Sequence, residues 1–450
     1  MLRRFPIRVD RLLALALSLV TASAGSAFAQ WDAEPIDGSR GERAWPLHSS
    51  DKSPAAASPV QSLPTLASAW RTERGELPLP VIEATVVVRE EHVAVLGGLD
   101  TNFETTSAIQ IHDPRRGWLP IGSQLATPRA DAASISLPDG RVLLFGGFTG
   151  SIAAPIRLED GERLDPLVAG SSRPITPFGE SLEGLTATLL PGDRVLVAAG
   201  GSARIYDANL DLWSEATPLD VPRRHHVALL LDPSHVLLVG GELDESPSVR
   251  QNRLGATLLF VAAPDEPSTV LAPQAEPFEF SGRSAPPRGL REFAIARHPR
   301  DGRWLIAGGL DPSSGSTQRE TWWLDPERAA IVRGPMLPLE AGVCRLHVAS
   351  LDRGLVLIGG EWRRPGERGD ANASLLLLAS PSRETHWLRL ATLPWSGSRR
   401  MVIDGPRGLE LLGGYAFMDA ERAAAQSTTA GPRFDVRRYR LSVAPLASGD

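Results

Sequence analysis

Lysine and cysteine are almost absent from this chain of 450 residues, and each absence excludes a kind of chemistry. Lys52 is the sole lysine, which disfavours P-loop NTPases, Schiff-base enzymes and pyridoxal-phosphate enzymes, because their sites need a lysine. Cys344 is the sole cysteine, so the chain can form neither an internal disulfide nor a cysteine-based metal cluster. Arginine supplies all the other residues in the combined count of 47 Lys and Arg.

Motifs for metal binding and for nucleophilic catalysis are also missing. The nine histidines show no H-E-x-x-H or comparable spacing, and no G-x-S-x-G motif occurs. His225 and His226 are adjacent, but neighbouring side chains on a strand point to opposite faces and cannot easily share one ion. We therefore expect no metal site and no cofactor.

The N-terminal residues have the pattern of an export signal rather than of a folded element. Four arginines within the first eleven residues precede the apolar run 12–20, and Ala27-Phe28-Ala29 matches the small-x-small cleavage pattern. The alternative, a membrane anchor, is disfavoured because the apolar run is too short. We predict a signal peptide over residues 1–29, a mature chain without a membrane span, and a secreted or periplasmic location.

Charge and composition limit the mature chain further. The formal net charge is −6 at pH 7, and loss of four Arg and one Asp on export would move it to −9, which disfavours nucleic acid as a partner. Residues 30–65 are rich in Pro, Ser and Ala, a composition typical of linkers. Residues 446–450 are expected to be a tail.

One short pattern recurs through the rest of the chain: an apolar run that ends in two glycines. Consecutive copies lie 40 to 68 residues apart, close to the ~50-residue period of a kelch repeat. Glycine permits close approaches that a Cβ would block, so we expect the doublets to have a packing role. The copies are Gly97-Gly98, Gly146-Gly147, Gly200-Gly201, Gly240-Gly241, Gly308-Gly309, Gly359-Gly360 and Gly413-Gly414.

The residues around each doublet follow a fixed order: strand, turn, strand and doublet, loop, strand with Asp, turn, and Trp. In the first copy Asp113 and Trp118 hold the last two positions, and in the third copy Asp207 and Trp213 do. This order resembles the kelch-repeat family over residues 66–445. The resemblance implies an all-β, seven-bladed β-propeller with four antiparallel strands per blade. Ring closure is expected from a strand at 66–71 that pairs with the last blade.

The other five blades match the order less completely, and three of them carry specific expectations. Residues 156–166 are expected to form a weak outer pair in blade 2. A proline-rich excursion over 264–287 accounts for the longest spacing after blade 4, and residues 434–443 are expected to form one strand of blade 7.

Two sets of loop residues, expected on one face of the propeller, are the candidate site. The first set precedes the doublets by about 13–17 positions and is rich in arginine, which binds carboxylate or sulfate through paired hydrogen bonds. These arginines could instead pair with acids such as Asp131, Glu292 and Glu83. The set comprises Arg129, Arg223, Arg224, Arg291, Arg345, Arg399 and Arg400.

The second set follows the doublets and combines aromatic and charged side chains, as binding surfaces for sugars or proteins do. It comprises Phe148, Glu242, Glu361, Trp362, Arg363, Arg364, Tyr415 and Phe417. From both sets, the predicted binding residues are Arg129, Arg224, Arg291, Arg345, Arg399, Trp362, Arg363, Tyr415 and Phe417.

The favoured function is a binding module for an acidic glycan or a protein partner. Kelch propellers resembling sialate mutarotases suggest an alternative, a metal-independent sugar-acid mutarotase in which Glu361 or Glu242 transfers the proton. A galactose oxidase-like copper site has little support, because only Tyr206, Tyr415 and Tyr439 are available and Cys344 has no tyrosine nearby in sequence. A structural role in the cell envelope is the remaining alternative.

Overall fold

A computed structural model of the chain describes a protein built from β-strands. The described residues are 66–180, 182, 184–243, 255–262, 269–281, 286, 289–300, 302–351, 354–364, 367–370, 374–379, 385–393, 401–405, 408–418 and 431–443. Within these residues there is no helix, and so none that is long and apolar enough to cross a membrane. The predicted signal peptide, linker and tail, and Arg399 and Arg400, lie outside the described residues.

Forty strands are present in the described part of the chain, numbered here in chain order. The first half of the chain contains β1 (Ser68–Thr72), β2 (Thr85–Arg89), β3 (His92–Leu96), β4 (Ala108–Asp113), β5 (Gly117–Trp118), β6 (Ser123–Gln124), β7 (Ala133–Ser136), β8 (Val142–Phe145), β9 (Phe148–Ser151), β10 (Ala154–Arg157), β11 (Gly161–Leu164), β12 (Arg173–Pro174), β13 (Thr186–Leu190), β14 (Arg194–Ala199), β15 (Ser202–Asp207), β16 (Leu212–Trp213), β17 (Thr217–Pro218), β18 (Arg223–Arg224), β19 (Val227–Asp232) and β20 (His235–Val239).

The second half contains β21 (Glu242–Leu243), β22 (Ala256–Phe260), β23 (Gln274–Pro277), β24 (Ala294–Arg297), β25 (Trp304–Ala307), β26 (Leu310–Asp311), β27 (Ser316–Thr317), β28 (Thr321–Asp325), β29 (Ala330–Arg333), β30 (His347–Leu351), β31 (Gly354–Ile358), β32 (Glu361–Arg364), β33 (Glu367–Asp370), β34 (Ser374–Ala379), β35 (Thr385–Arg389), β36 (Met401–Gly405), β37 (Gly408–Leu412), β38 (Tyr415–Met418), β39 (Gly431–Phe434) and β40 (Arg438–Val443).

Most of these strands belong to five four-stranded and two five-stranded antiparallel sheets, numbered here in chain order. Their strand orders are β2-β3-β4-β5 with β6 on β4 (sheet 1), β7-β8-β11-β12 (sheet 2), β13-β14-β15-β16 with β17 on β15 (sheet 3), β19-β20-β22-β23 (sheet 4), β24-β25-β28-β29 (sheet 5), β30-β31-β34-β35 (sheet 6) and β36-β37-β40-β1 (sheet 7).

The sheets pack face to face around a ring, with the first strand of each sheet innermost. Apolar clusters fill the spaces between consecutive sheets, and one further cluster joins the last sheet to the first, where Val95 packs with Met401 and Leu412. Burial of alternating aliphatic residues on both faces of each sheet supplies the main stabilisation. The predicted all-β propeller with four antiparallel strands per blade is confirmed.

Closure of the ring by the N-terminal strand is also confirmed. Strand β1 pairs with β40 from Ser68 opposite Val443 to Thr72 opposite Tyr439. The indole Nε1 of Trp70 donates to the carbonyl oxygen of Ala391 at 3.2 Å. The strand therefore covers the outer edge of β40 and adds a fourth strand to β36, β37 and β40.

Two local expectations, for blades 2 and 7, were wrong, and the one for the excursion after blade 4 was incomplete. Ile156 lies in β10, part of a separate hairpin with β9, and the outer pair of sheet 2 is β11 and β12. The excursion after sheet 4 contains β23, the fourth strand of that sheet. The segment 434–443 is divided between β39, which pairs with β38, and β40 of sheet 7.

The glycine doublets have the predicted packing role in most sheets. A Cβ on Gly97 would lie 2.3 Å from the carbonyl oxygen of Arg129 in the next sheet, and one on Gly147 would lie 2.3 Å from that of Ala130. The doublet of sheet 3 differs, because Gly200 and Gly201 form the tight turn between β14 and β15 and meet no such contact. There the glycines serve the turn.

Candidate functional site

A three-residue entry segment with a repeated backbone conformation precedes the first strands. Among the described residues it spans 81–83, 129–131, 223–225, 290–292 and 343–345, and in sheet 3 its first and third residues, Leu182 and Gly184, are described. The third residue has a left-handed backbone, with φ between 53° and 58°, whether or not it is glycine. We call these third residues the mouth residues, because they precede the innermost strands: Glu83, Asp131, Gly184, His225, Glu292 and Arg345.

The mouth residues of neighbouring sheets are joined by backbone hydrogen bonds. The amide of Asp131 donates to the carbonyl of Glu83 at 3.0 Å, and the amide of Arg345 donates to the carbonyl of Glu292 at 2.8 Å. His225 donates in the same way to Gly184 at 2.9 Å. Five of these six positions therefore place a charged or titratable side chain on a narrow ring around the propeller axis.

The second residue of the entry segment pairs with the residue that follows the doublet. The pairs are Ile82 with Leu99, Ala130 with Phe148, Arg224 with Glu242, Arg291 with Leu310, and Cys344 with Glu361. The two residue sets expected to share a face are therefore in direct contact. We call this face the mouth face.

In the described part of the chain, four hairpins extend the mouth face beyond the sheets, from sheets 2, 5, 6 and 7: β9–β10, β26–β27, β32–β33 and β38–β39. Those of sheets 7 and 2 meet over sheet 1 in an apolar cluster that includes Tyr415, Phe103 and Phe148. Those of sheets 5 and 6 are joined through Thr317, whose hydroxyl donates to the carbonyl of Arg363 at 3.2 Å. In sheet 3 the Gly200-Gly201 turn takes the place of such a hairpin.

The first residue of the entry segment is fully buried, even where it is arginine. Arg129 is 2% exposed; its Nε donates to Glu162 at 2.8 Å and another guanidinium nitrogen donates to the carbonyl of Gly146 at 2.9 Å. Arg223 is 1% exposed and donates to the carbonyl of Gly255 and to Thr257. Burial lowers the pKa of Arg223 to about 10, although Asp220 partly opposes this effect. Both arginines tie the entry segment to the third strand of their own sheet.

The mouth residues of sheets 5 and 6 belong to a network of alternating charges. Arg345 lies 3.0 Å from Glu292 and 3.5 Å from Glu361, and Arg363 lies 3.4 Å from each of the same two carboxylates. Glu292 is 2% and Glu361 8% exposed. Two guanidiniums and two carboxylates thus neutralise one another at the edge of the mouth.

Cys344 lies beside this network, and its thiol is buried and unreactive. Burial, together with the charges of Glu292 and Glu361, raises the pKa of its thiol well above the usual value. Burial alone would lower the pKa of Arg345, but Glu361 and Glu292 raise it overall. The thiol therefore stays protonated and the guanidinium stays charged at neutral pH.

The predicted binding residues occupy different environments. Arg224 and Arg291 hold the second, pairing position, and Arg291 lies 3.3 Å from Glu242. Trp362 and Arg363 lie half-buried on β32, and Tyr415 is buried against Phe103. Phe417 is located on β38 by its backbone, and Arg399 lies outside the described residues. Arg129 is buried and each of its three guanidinium nitrogens donates a hydrogen bond, and the binding role of every residue in the set stays a prediction.

Sequence reasoning treated Glu83, Asp131 and Glu292 only as possible partners for arginine, whereas they are themselves mouth residues. The signal that could have found them is positional: each lies two residues before the first strand of its sheet. Among the described residues, no group of three or more His, Cys, Asp or Glu side chains is arranged to hold a metal ion.

No known protein-family model matches the chain, and no curated protein matches it significantly. The fold therefore defines the class on its own. The protein is an antiparallel β-propeller, a fold that fits the role of a binding module.

Proposed function

We propose that the protein is an exported, seven-bladed propeller of the kelch type whose mouth face binds a protein partner. Seven blades are supported by the sheets with four or more strands and by the apolar clusters that join each to the next. The kelch order is supported by the doublets, which directly follow the second strands, and by tryptophans on fourth strands, such as Trp118 and Trp213. Cleavage before Gln30, seen by N-terminal sequencing of the exported protein, would test the export signal.

The charge balance at the mouth is the observation that favours a protein partner. Arg345 and Arg363 are both engaged by Glu292 and Glu361, and Arg291 is engaged by Glu242. The described part of the mouth thus carries paired charges of both signs. Such a surface complements a polypeptide segment with its own mixed charges better than it complements an anionic sugar.

The hairpins support the same proposal. They add side chains around the mouth on a rigid ring. Binding there does not cost the free energy of ordering the scaffold, because the scaffold is already folded. On the sheet 6 hairpin, the guanidinium of Arg364 is exposed and lies 6.0 Å from the ring centre of Trp362, a pair of residue types enriched in protein interfaces.

An acidic glycan is the second candidate, and one cavity favours it. A space of about 550 Å³ between the hairpins of sheets 5 and 6 is lined by Arg319, Arg363 and Arg364. Its size is within the usual range for a small ligand, about 300–1,000 Å³. Glu320 and Glu340 also line it, which reduces its attraction for a carboxylate.

The mutarotase alternative gains no comparable support. Glu361 is buried and both of its oxygens lie near guanidiniums, so neither oxygen is directed at a substrate. Glu242 is more open, with 40% of its side chain exposed, but it pairs with Arg291.

The protein-partner proposal is tested by charge reversal on opposite faces. Cross-linking of the purified full chain to the envelope and secreted proteins of its source cell, read by mass spectrometry, identifies a partner whose purified form is then titrated. We expect Arg364→Glu, on the mouth face, to weaken that binding about tenfold. Arg115→Glu, in the exposed turn between β4 and β5 on the opposite face, is the matched control and should bind normally.

Two results would contradict the proposal. In the first, Arg115→Glu weakens partner binding and Arg364→Glu does not. In the second, sialic, glucuronic or galacturonic acid raises the melting temperature of the wild-type chain but not of Arg364→Glu, which would instead favour the acidic-glycan candidate.

A further inference from the structure

A larger cavity lies away from the mouth, between sheets 4 and 5. Its volume is about 1450 Å³, and it is lined by the ends of β19 and β20 next to their turn, by the end of β24 and the residues before β25, and by the third and fourth strands of both sheets. Turns that join first to second strands lie at the end of the sheet opposite the entry segments. We call this cavity the sheet 4–5 groove.

Apolar side chains in this groove are unusually exposed. Phe260 is 39% and Val332 50% exposed, and both belong to the small set of large hydrophobic residues exposed in the described part of the chain. Trp304 and Phe278, both partly buried, also line the groove. Exposed apolar surface bordered by polar groups often marks a binding site.

The groove is lined by equal numbers of carboxylates and guanidiniums, four of each. Asp232 lies 2.9 Å from His235, and Asp325 lies 2.9 Å from Arg328. The guanidinium of Arg303 is 4.7 Å from the ring centre of Trp323. Arg303 therefore covers Trp323, and the groove offers the rings of Phe260, Phe278 and Trp304 beside hydrogen-bonding groups, without an excess of charge of either sign.

We propose that the sheet 4–5 groove binds a neutral oligosaccharide. A pyranose ring has an apolar face of C–H bonds that packs on the electron-rich face of an aromatic ring, and its hydroxyls can hydrogen-bond to paired carboxylates and guanidiniums. An uncharged ligand does not have to compete with the ion pairs for their partners. The volume exceeds the ~300–1,000 Å³ typical of small-molecule pockets, which favours a chain of several sugar rings over a monosaccharide.

The proposal is tested by calorimetric titration of the full chain with cellohexaose, xylohexaose and chitohexaose. We expect at least one to bind, and to bind more tightly than its monosaccharide. Phe260→Ala removes an aromatic ring and should weaken that binding roughly fivefold. Val332→Ala removes an aliphatic contact and should also weaken it. Both side chains are exposed, so these variants should fold. Ile156→Ala, which removes a 64% exposed side chain on the sheet 2 hairpin, is the matched control and should bind normally.

Three results would overturn the proposal: no heat with any of the three hexasaccharides, binding that survives both groove substitutions, or tighter binding of hexagalacturonate or of an uncharged decapeptide rich in leucine and phenylalanine. Arg364→Glu should leave oligosaccharide binding unchanged, so the outcome is independent of the function proposed for the mouth face.

Discussion

Arg129 and Arg345 look alike in sequence, but the fold gives them different roles. Both lie in an entry segment, Arg129 at the first position and Arg345 at the third. Arg129 is enclosed with one buried carboxylate, Glu162, inside sheet 2. Arg345 is at the mouth, where it shares Glu292 and Glu361 with a second arginine.

The difference shows that two positions along one short segment separate an interior arginine from a mouth arginine. The first position is occupied by Val81, Leu290 or Val343 in other sheets, so its surroundings are apolar. An arginine there needs a carboxylate or another hydrogen-bond acceptor close by, because an unpaired buried charge is costly. The third position has a left-handed backbone that turns the chain at the mouth. Residue type alone therefore does not show which side chains lie at the mouth; the distance of a residue from the first strand does.

The largest effect is expected from breaking the interior pair. Arg129→Leu removes the cation but leaves Glu162, whose side chain is 1% exposed, as an uncompensated buried charge. We expect the free energy of unfolding to fall by about 3–5 kcal/mol, measured by urea denaturation. The double variant Arg129→Leu with Glu162→Leu is the control, because it removes both charges and should recover much of that loss. An equal loss in the single and double variants would contradict the assignment of Arg129 to the interior.

A second prediction concerns the mouth position that carries no side chain. Gly184 has φ near 58°, and a Cβ there would lie 2.6 Å from the amide nitrogen of His225. Gly184→Ala should therefore cost about 2 kcal/mol or more, from the left-handed backbone and the close contact together.

The matched control is Gly192→Ala. Gly192 also has a positive φ, near 78°, but a Cβ there would meet nothing within 4 Å. Gly192→Ala should therefore lose only the free energy needed to hold alanine in a left-handed backbone. We expect it to lower the melting temperature less than Gly184→Ala does. Equal losses of melting temperature in the two variants would contradict the close contact between Gly184 and His225.

Repetition explains how much of the fold the sequence revealed. The doublets, the hairpins before them and the closing strand were predicted because each rests on a local pattern: apolar alternation, turn residues or Trp70 next to an unpaired edge. Strand β23 was missed because Gln274–Pro277 is polar and short and has its pairing fixed by β22 rather than by its own sequence.

The site was harder to predict, because the arginine-rich set mixes positions of the entry segment. A shift of one residue moves a side chain from the interior to the pairing position, as Arg223 and Arg224 show. Partners are also set by distant segments: Glu292 and Arg345 meet through packing of two sheets, and their spacing of 53 residues carries no local signal.

A smaller effect is expected from breaking the mouth network. Arg345→Leu leaves Glu292 with Arg363 at 3.4 Å, so the remaining carboxylate keeps one cation. We expect a loss of about 1.5 kcal/mol in urea denaturation, clearly less than for Arg129→Leu. Adding Arg363→Leu should increase the loss more than additively, because Glu292 would then lose both cations. Additive losses would show that the four groups do not act as one network.

The smallest effect is a dependence of stability on pH that belongs to the interior side of the entry segment. His226 follows the mouth residue His225 but is buried, with its Nε2 2.8 Å from the hydroxyl of Thr186 in sheet 3. Burial, and then the charges of Arg223 and His225, lower its pKa well below the usual value. Below about pH 6.5, His226 is therefore protonated in the unfolded chain but stays neutral in the folded chain. The free energy of unfolding consequently falls as pH decreases, by at most ~1.4 kcal/mol per pH unit.

Urea denaturation at pH 7.5, 6.0 and 5.0 measures this loss for the wild type and for His226→Asn. The variant should show a shallower loss between pH 6.5 and 5, because the interior group that resists protonation is gone. His235→Asn, which removes a partly exposed imidazole beside Asp232, is the control and should keep the wild-type contribution of His226. An unchanged slope in His226→Asn, or an equal reduction in His235→Asn, would place the pH-sensitive groups outside the junction of sheets 3 and 4. The contrast between the interior and the mouth of the entry segment would then rest on Arg129 and Arg345 alone.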